Sequence, residues 1–262
     1  MKHAGALLAA GAVIAGAALV IGASAGRSTA FGLSRDVRLS VVRKVAQSEG
    51  GGRFDAINPN RERFNKPPGP GLSFGFIQWT QESTHLGALL QLMRDADRAT
   101  FDAVVGGSAV ADELLRVTKA GSLAPVNGAV LWDPAWTSRF VALGRHPRFI
   151  ECQLQMASTG IHMEKAVEAA RALALLSERG LALAFDRAVQ HGEYGTASLA
   201  RRMGEDWAES GWPDYVDRLG RFAARAVLQI SPTYQDDARR RVDGILRDPN
   251  LSDAALEAPA VA

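Results

Sequence analysis

Residues 47–60 read QSEGGGRFDAINPN, and this stretch decides the fold because a helix must end within it. Three glycines follow Glu49, and glycine readily adopts the left-handed conformation in which many helices end. Upstream, Val37, Val41 and Val45 recur every four residues, which is the spacing of one face of a helix. We therefore predict a helix that carries Glu49 in its last turn, on the stripe that faces the core.

This position would give Glu49 the properties of a general acid. Removal from water disfavours the ionised carboxylate, and so does the negative end of the helix dipole, so both raise the pKa of Glu49. A general acid that works near neutral pH needs such a raised pKa. The alternative is that Glu49 is a solvated residue at a fraying helix end.

The N-terminus differs in composition from the rest of the chain. Residues 1–25 contain one lysine, no acidic residue and a long run of small and aliphatic residues that ends in Ala23-Ser24-Ala25. This pattern is typical of a signal peptide, so we expect a secreted or periplasmic protein. An uncleaved membrane anchor is the alternative, since the run is long enough to span a bilayer. Residues 26–35 are predicted to be a linker, in which Ser34 is a candidate N-cap.

Composition excludes several classes of protein. The 262 residues are 47% hydrophobic, which is enough for a substantial core. The formal net charge is only +2, from 30 basic and 28 acidic residues, and this is no signature of nucleic-acid binding. Cys152 is the only cysteine, so an internal disulfide and a multi-cysteine metal site are excluded. We predict no metal and no cofactor.

The helical period is lost between Arg53 and Trp79, where Gly, Pro and Asn are frequent. Two short strands, 54–58 and 72–79, are predicted here, joined by a long proline-rich loop. Loops of that length within a compact domain are usually functional.

The rest of the chain has the periodicity of helices. Residues 181–191, LALAFDRAVQH, are apolar nearly all round, as in a helix buried inside a bundle. We predict an α+β, predominantly α fold over residues 36–247, in which a helical bundle carries a small β-hairpin or sheet. Residues 248–262 are rich in Ala and Pro and are predicted to be a flexible tail.

Three short strings resemble the lysozyme-like superfamily, which includes lysozymes, lytic transglycosylases and chitosanases. SEGG at 48–51 and GFIQ at 75–78 resemble blocks of lytic transglycosylases, and AFDRAVQHG at 184–192 resembles a string of the chitosanase-like branch. The resemblance implies a lysozyme-like fold, in which the catalytic Glu closes the first helix and a small sheet borders the active-site cleft. It also implies a glycosidase that cleaves β-1,4 bonds of an amino-sugar polymer. Export favours peptidoglycan, and chitosan is the alternative.

The resemblance assigns roles to residues near the predicted sheet. Glu49 would be the general acid, Ser73 and Gln78 would hydrogen-bond the sugar or its N-acetyl group, and Trp79 would stack on a sugar face. Trp79 as a core aromatic residue is the alternative. Asp55 is the candidate second carboxylate, and a turn-forming residue within FDAINPN is the alternative.

Two further features bear on the mechanism. An alignment on Gly75 places the Pro67-Pro68-Gly69 run at the position of the family's second carboxylate, and Glu62 is a weaker candidate for that role than Asp55. Without a second carboxylate the chemistry would resemble that of lytic transglycosylases, in which one Glu acts as acid and then as base and an anhydro product forms.

A supporting ion network is also implied, in which Asp186 joins Arg221 and Arg241 behind the catalytic Glu. A buried aspartate must be paired or neutral in any case, so a purely structural salt bridge is the alternative. We expect a monomer whose partner is a polysaccharide and which meets the membrane only through residues 1–25, if these are retained. A non-catalytic protein that binds the cell envelope is the alternative from another class.

Overall fold

The computed structural model describes residues 31–48, 52–60 and 69–256. These ranges are mostly helical and contain a small three-stranded antiparallel sheet, so the prediction of an α+β, predominantly α fold is confirmed. No helix within them is long and apolar enough to cross a membrane. The predicted signal peptide, residues 1–25, lies outside the described residues.

Eleven α-helices occur in the described residues, with a 3-10 turn before the last of them. The helices are Arg35–Ser48 (α1), His85–Ala96 (α2), Arg98–Val105 (α3), Ser108–Lys119 (α4), Pro134–Arg145 (α5), Pro147–Thr159 (α6), Ile161–Ala172 (α7), Glu178–His191 (α8), Glu193–Ser210 (α9), Tyr215–Leu228 (α10) and Gln235–Arg247 (α11).

The first helix follows the predicted pattern. The Ser34 hydroxyl accepts a hydrogen bond from the backbone N–H of Val37 at 3.3 Å, so the predicted N-cap is confirmed. Val41 and Val45 are fully buried. They lie on the side of α1 that packs against the bundle, where its neighbours are α6, α8 and α11.

The sheet consists of Ile57–Asn60 (β1), Gly71–Phe74 (β2) and Trp79–Thr80 (β3), in the order β1-β2-β3. Both pairings are antiparallel, with Asn58 opposite Ser73 and Phe74 opposite Trp79. The two predicted strands are therefore present in outline, but the second is divided into β2 and β3.

A tight turn divides that second strand. Gly75 and Gln78 have positive φ values of 83° and 57°, which are incompatible with an extended strand. The backbone N–H of Gln78 donates to the Gly75 carbonyl at 3.1 Å and closes the turn. Residues 75–78 therefore form a connection between two short strands.

The buried helix predicted at 181–191 is confirmed as the larger part of α8. Its residues from Leu181 to Ala188 are all buried. The helix begins earlier than the apolar pattern does, because the Ser177 hydroxyl caps it by accepting from the Gly180 N–H at 3.0 Å. It ends at His191, and Gly192 follows with a φ of 79°.

The predicted flexible tail from Asp248 differs from the structure over residues 248–256. Leu251 is only 4% exposed. The Arg179 guanidinium donates to three carbonyl oxygens at the end of α11, at 2.8–3.0 Å, and to the Leu251 carbonyl at 2.7 Å. An arginine from α8 thus satisfies the last carbonyls of α11 and fastens this segment, which composition alone does not reveal.

Candidate functional site

Residues 49–51, and with them Glu49, lie outside the described residues, but the chain on either side is fixed. The helix α1 reaches Ser48. The backbone N–H of Gly52 donates to the Ala46 carbonyl at 3.0 Å, and Gly52 has a φ of 72°. The segment that leads into β1 therefore starts beside the last turn of α1, where the glycine run predicts the helix to end.

Gln153 on α6 joins this segment to the turn between β2 and β3. Its side chain is completely buried. The amide Nε2 donates to the Phe54 carbonyl at 2.9 Å, and Oε1 accepts from the Phe76 N–H at 3.3 Å. One side chain therefore fixes two backbone segments of the sheet region relative to the helices.

Sequence reasoning missed Gln153, although a signal was present. Gln153 lies four residues from Phe149 and four from Ala157, both of which are buried on the core face of α6. A polar residue on an apolar helical stripe must be hydrogen-bonded, because an unsatisfied buried amide is costly. The spacing of Gln153 therefore indicates a buried amide that bonds to another part of the chain.

Two of the predicted sugar-binding side chains are part of the core. Trp79 is 4% exposed and packs edge to face against Phe76, with ring centroids 5.6 Å apart. Ser73 is 2% exposed, within a strand that is buried along its length. This burial favours the alternative of Trp79 as a core aromatic residue and holds Ser73 within its strand, and contact of either side chain with a sugar stays a prediction.

Gln78 is partly buried and takes part in the turn. Its Nε2 donates to the Gly75 carbonyl at 2.8 Å and lies 3.5 Å from the Ala56 carbonyl. Its Oε1 accepts no hydrogen bond from the described residues, and this oxygen is what Gln78 can offer to a ligand.

Asp55, the candidate second carboxylate, is held between two arginines. Its Oδ2 accepts from Nε of Arg145 on α5 at 2.8 Å, and its Oδ1 lies 3.7 Å from Nε of Arg53. The hydrogen bond from Arg145 is the main reason why the pKa of Asp55 is lowered. Gly144 permits this approach, because a Cβ there would be 2.5 Å from the Asp55 Cα.

An ionised Asp55 has a restricted chemical role. It cannot supply a proton near neutral pH, whereas it can accept one or stabilise positive charge. Glu62, the weaker candidate, lies outside the described residues.

A buried ion cluster is centred on Asp186 of α8. Its Oδ1 accepts from Nε of Arg241 at 3.0 Å, and its Oδ2 accepts from Nε of Arg187 at 2.7 Å. Asp186 and Arg187 are fully buried. Burial raises the pKa of Asp186, which Arg187 opposes, and burial lowers the pKa of Arg241 to about 10, so that Arg241 remains charged at neutral pH.

The predicted membership of this cluster is half right. Arg241 binds Asp186, but Arg221 is exposed on α10 and pairs with Asp217 at 3.5 Å. The missing partner is Arg187, which adjoins Asp186 in the chain. The helical periodicity does not indicate Arg187 as the partner of Asp186, because the side chains of adjacent residues on a helix point in different directions.

The described fold and site define a mainly helical α+β protein in which a small sheet adjoins the end of the first helix. No group of three or more His, Cys, Asp or Glu side chains is placed to hold a metal ion in residues 31–48, 52–60 and 69–256. No protein-family model, curated protein or solved structure matches the chain.

Proposed function

We propose that the protein is an exported, lysozyme-like glycosidase that cleaves β-1,4 bonds of an amino-sugar polymer, with Glu49 as the general acid. One observation carries this proposal: α1 reaches Ser48, the residue before Glu49, and the Gly52 N–H then donates to the Ala46 carbonyl before the chain enters an antiparallel sheet. This is the order of elements that the resemblance to lysozyme-like enzymes implies. Peptidoglycan is the proposed substrate, because the N-terminus resembles an export signal.

In the proposed reaction Glu49 donates its proton to the glycosidic oxygen as the bond to the anomeric carbon breaks. Positive charge develops on the sugar in an oxocarbenium-like transition state. Asp55 is suited to stabilise that charge or to accept a proton from water, because Arg145 holds it ionised. If Asp55 takes no part, Glu49 recovers a proton from the sugar's own hydroxyl, which attacks the anomeric carbon and gives an anhydro product.

A second candidate function is binding of the cell envelope without catalysis. Asp55 is engaged by Arg145, and Ser73 and Trp79 are buried. Three of the groups expected to serve chemistry or sugar binding are therefore occupied within the protein. Whether the protein is an enzyme or a binding protein would then depend on Glu49 alone.

The decisive experiment is the clearing of cell-wall sacculi by the wild type and by Glu49→Gln. We expect Glu49→Gln to lose about 10²–10⁴-fold in rate, as is typical when a general acid is removed. Glu209→Gln is the matched control, because Glu209 is an exposed residue of α9. Equal clearing by wild type and Glu49→Gln would exclude the catalytic role of Glu49.

Two further measurements separate the alternatives. If neither protein clears sacculi but both sediment with them, the binding function is supported instead. Mass spectrometry of released fragments distinguishes the two catalytic routes, since 1,6-anhydro ends would exclude hydrolysis with Asp55 as the base.

A further inference from the structure

Two exposed arginines share one carboxylate next to the end of α1. Arg145 contacts Oδ2 of Asp55 at 2.8 Å, and Arg53 lies 3.7 Å from Oδ1. The side chain of Asp55 is 15% exposed, whereas those of Arg145 and Arg53 are 73% and 69% exposed. The carboxylate is therefore covered by the two guanidinium groups, and these face the solvent.

The three charges do not cancel. One ionised carboxylate neutralises one guanidinium, so the group carries one net positive charge. The Nη atoms of Arg53 and Arg145 make no hydrogen bond to any described residue, so their donors are available to a ligand.

We propose that Arg53 and Arg145 form an anion-binding subsite, which selects a glycan that carries carboxylate groups. A guanidinium presents a planar pair of N–H donors that matches a carboxylate, and two of them would repel the ammonium groups of a cationic polymer. Asp55 holds the two side chains side by side. The inference rests on the proposed function, in which the segment before β1 borders the substrate.

This assignment narrows the substrate class. Peptidoglycan carries carboxylates on its peptides, and on its lactyl groups where no peptide is attached, whereas chitosan carries amines. The subsite therefore favours an acidic amino-sugar polymer over chitosan. Like-charge repulsion acts against the cationic polymer as much as attraction favours the acidic one, and both contribute to specificity.

The test uses three polymers with the same β-1,4-linked amino-sugar chain: anionic carboxymethyl chitin, neutral glycol chitin and cationic glycol chitosan. Cleavage is measured with the wild type, and binding with Glu49→Gln. At low salt we expect cleavage and binding to be strongest with carboxymethyl chitin, weaker with glycol chitin and weakest with glycol chitosan. In each of the variants Arg53→Gln and Arg145→Gln, the ratio of the cleavage rate on carboxymethyl chitin to that on glycol chitin should fall by about two- to fivefold. This is the range for one exposed charge pair.

Two controls isolate the charge effect. Arg225→Gln removes an exposed arginine of α10 that makes no ion pair with the described residues, and it should leave the ratio unchanged. High salt should reduce the preference, because exposed charges are screened. The ratio is the chosen readout, since a folding defect in Arg145→Gln lowers activity on all three polymers together.

The outcomes separate this inference from the proposed function. Cleavage of all three polymers at equal rates, or fastest cleavage of glycol chitosan, would overturn the anion subsite and leave the glycosidase in place. Preferential binding of carboxymethyl chitin without any cleavage would support the subsite, and the sacculus assay then decides separately whether the protein is an enzyme. Absence of preferential binding and of cleavage would overturn the subsite, whereas the glycosidase is overturned only if sacculi are not cleared.

Discussion

Asp186 receives hydrogen bonds from two arginines inside the helical bundle, and each of these charges depends on the others. Removing a charge from water is costly, and the attraction between partners offsets that cost only while all of them are present. The cluster is thus sensitive to the loss of one member. It stands in contrast to Arg221 and Asp217, which are paired at the surface in contact with solvent.

We expect Asp186→Asn to lower the free energy of unfolding by about 3–5 kcal/mol, because Arg187 would be left buried without its counter-ion. Denaturant titration followed by circular dichroism measures this loss. Asp217→Asn is the matched control and should change stability by less than about 0.5 kcal/mol, as is usual for an exposed residue. Similar losses in the two variants would show that the buried cluster does not stabilise the fold.

At the scale of elements, the sheet is too small to be stable alone. Its three strands have four, four and two residues. Such a sheet needs packing against helices. Gln153 supplies a polar part of that attachment, and Phe74 of β2, whose ring centroid lies 5.1 Å from that of Phe140 on α5, supplies an apolar part.

We expect Gln153→Leu to destabilise the protein by about 2 kcal/mol or more, because two buried backbone groups lose their partners. Native-state hydrogen exchange should show faster exchange at the Phe76 amide. Gln229→Leu, at an exposed position after α10, is the control and should leave that amide unchanged. Unaltered protection in Gln153→Leu would contradict the role of Gln153 as the link between sheet and helices.

The elements that sequence reasoning could predict are those whose own residues carry the signal. The valine spacing and Ser34 are enough for α1, and the apolar run is enough for most of α8. In contrast, β3 has only two residues and exists because it pairs with β2, so no local pattern indicates it. The burial of Ser73 and Trp79 is likewise a property of the folded chain that their local sequence does not indicate.

At the scale of the whole molecule, the segment that follows α11 contacts helices from earlier parts of the chain. Asp248 lies 3.8 Å from Lys44 of α1, and its carbonyl accepts from Arg179 of α8. The segment that follows α11 thus touches both α1 and α8. Its apolar anchor is Leu251.

We expect Leu251→Ala to cost about 2–5 kcal/mol of stability, the usual range for truncation of a buried leucine. Leu228→Ala, which alters a side chain that is 62% exposed, should have little effect on thermal unfolding. A cost for Leu251→Ala no larger than that for Leu228→Ala would restore the prediction of a flexible tail.

The position of α1 among α6, α8 and α11 also limits how early in folding the contacts of α1 can form. Lys44 and Asp248 are 204 residues apart in the sequence, so this contact cannot form until residues as far as Asp248 are available to fold. Contacts between residues so far apart in sequence form late and slow folding, because a long loop must first be closed. A chain that stops short of residue 248 therefore lacks this contact with α1. The proposed acid beside that helix would have its full surroundings only after the segment that follows α11 has packed against α1.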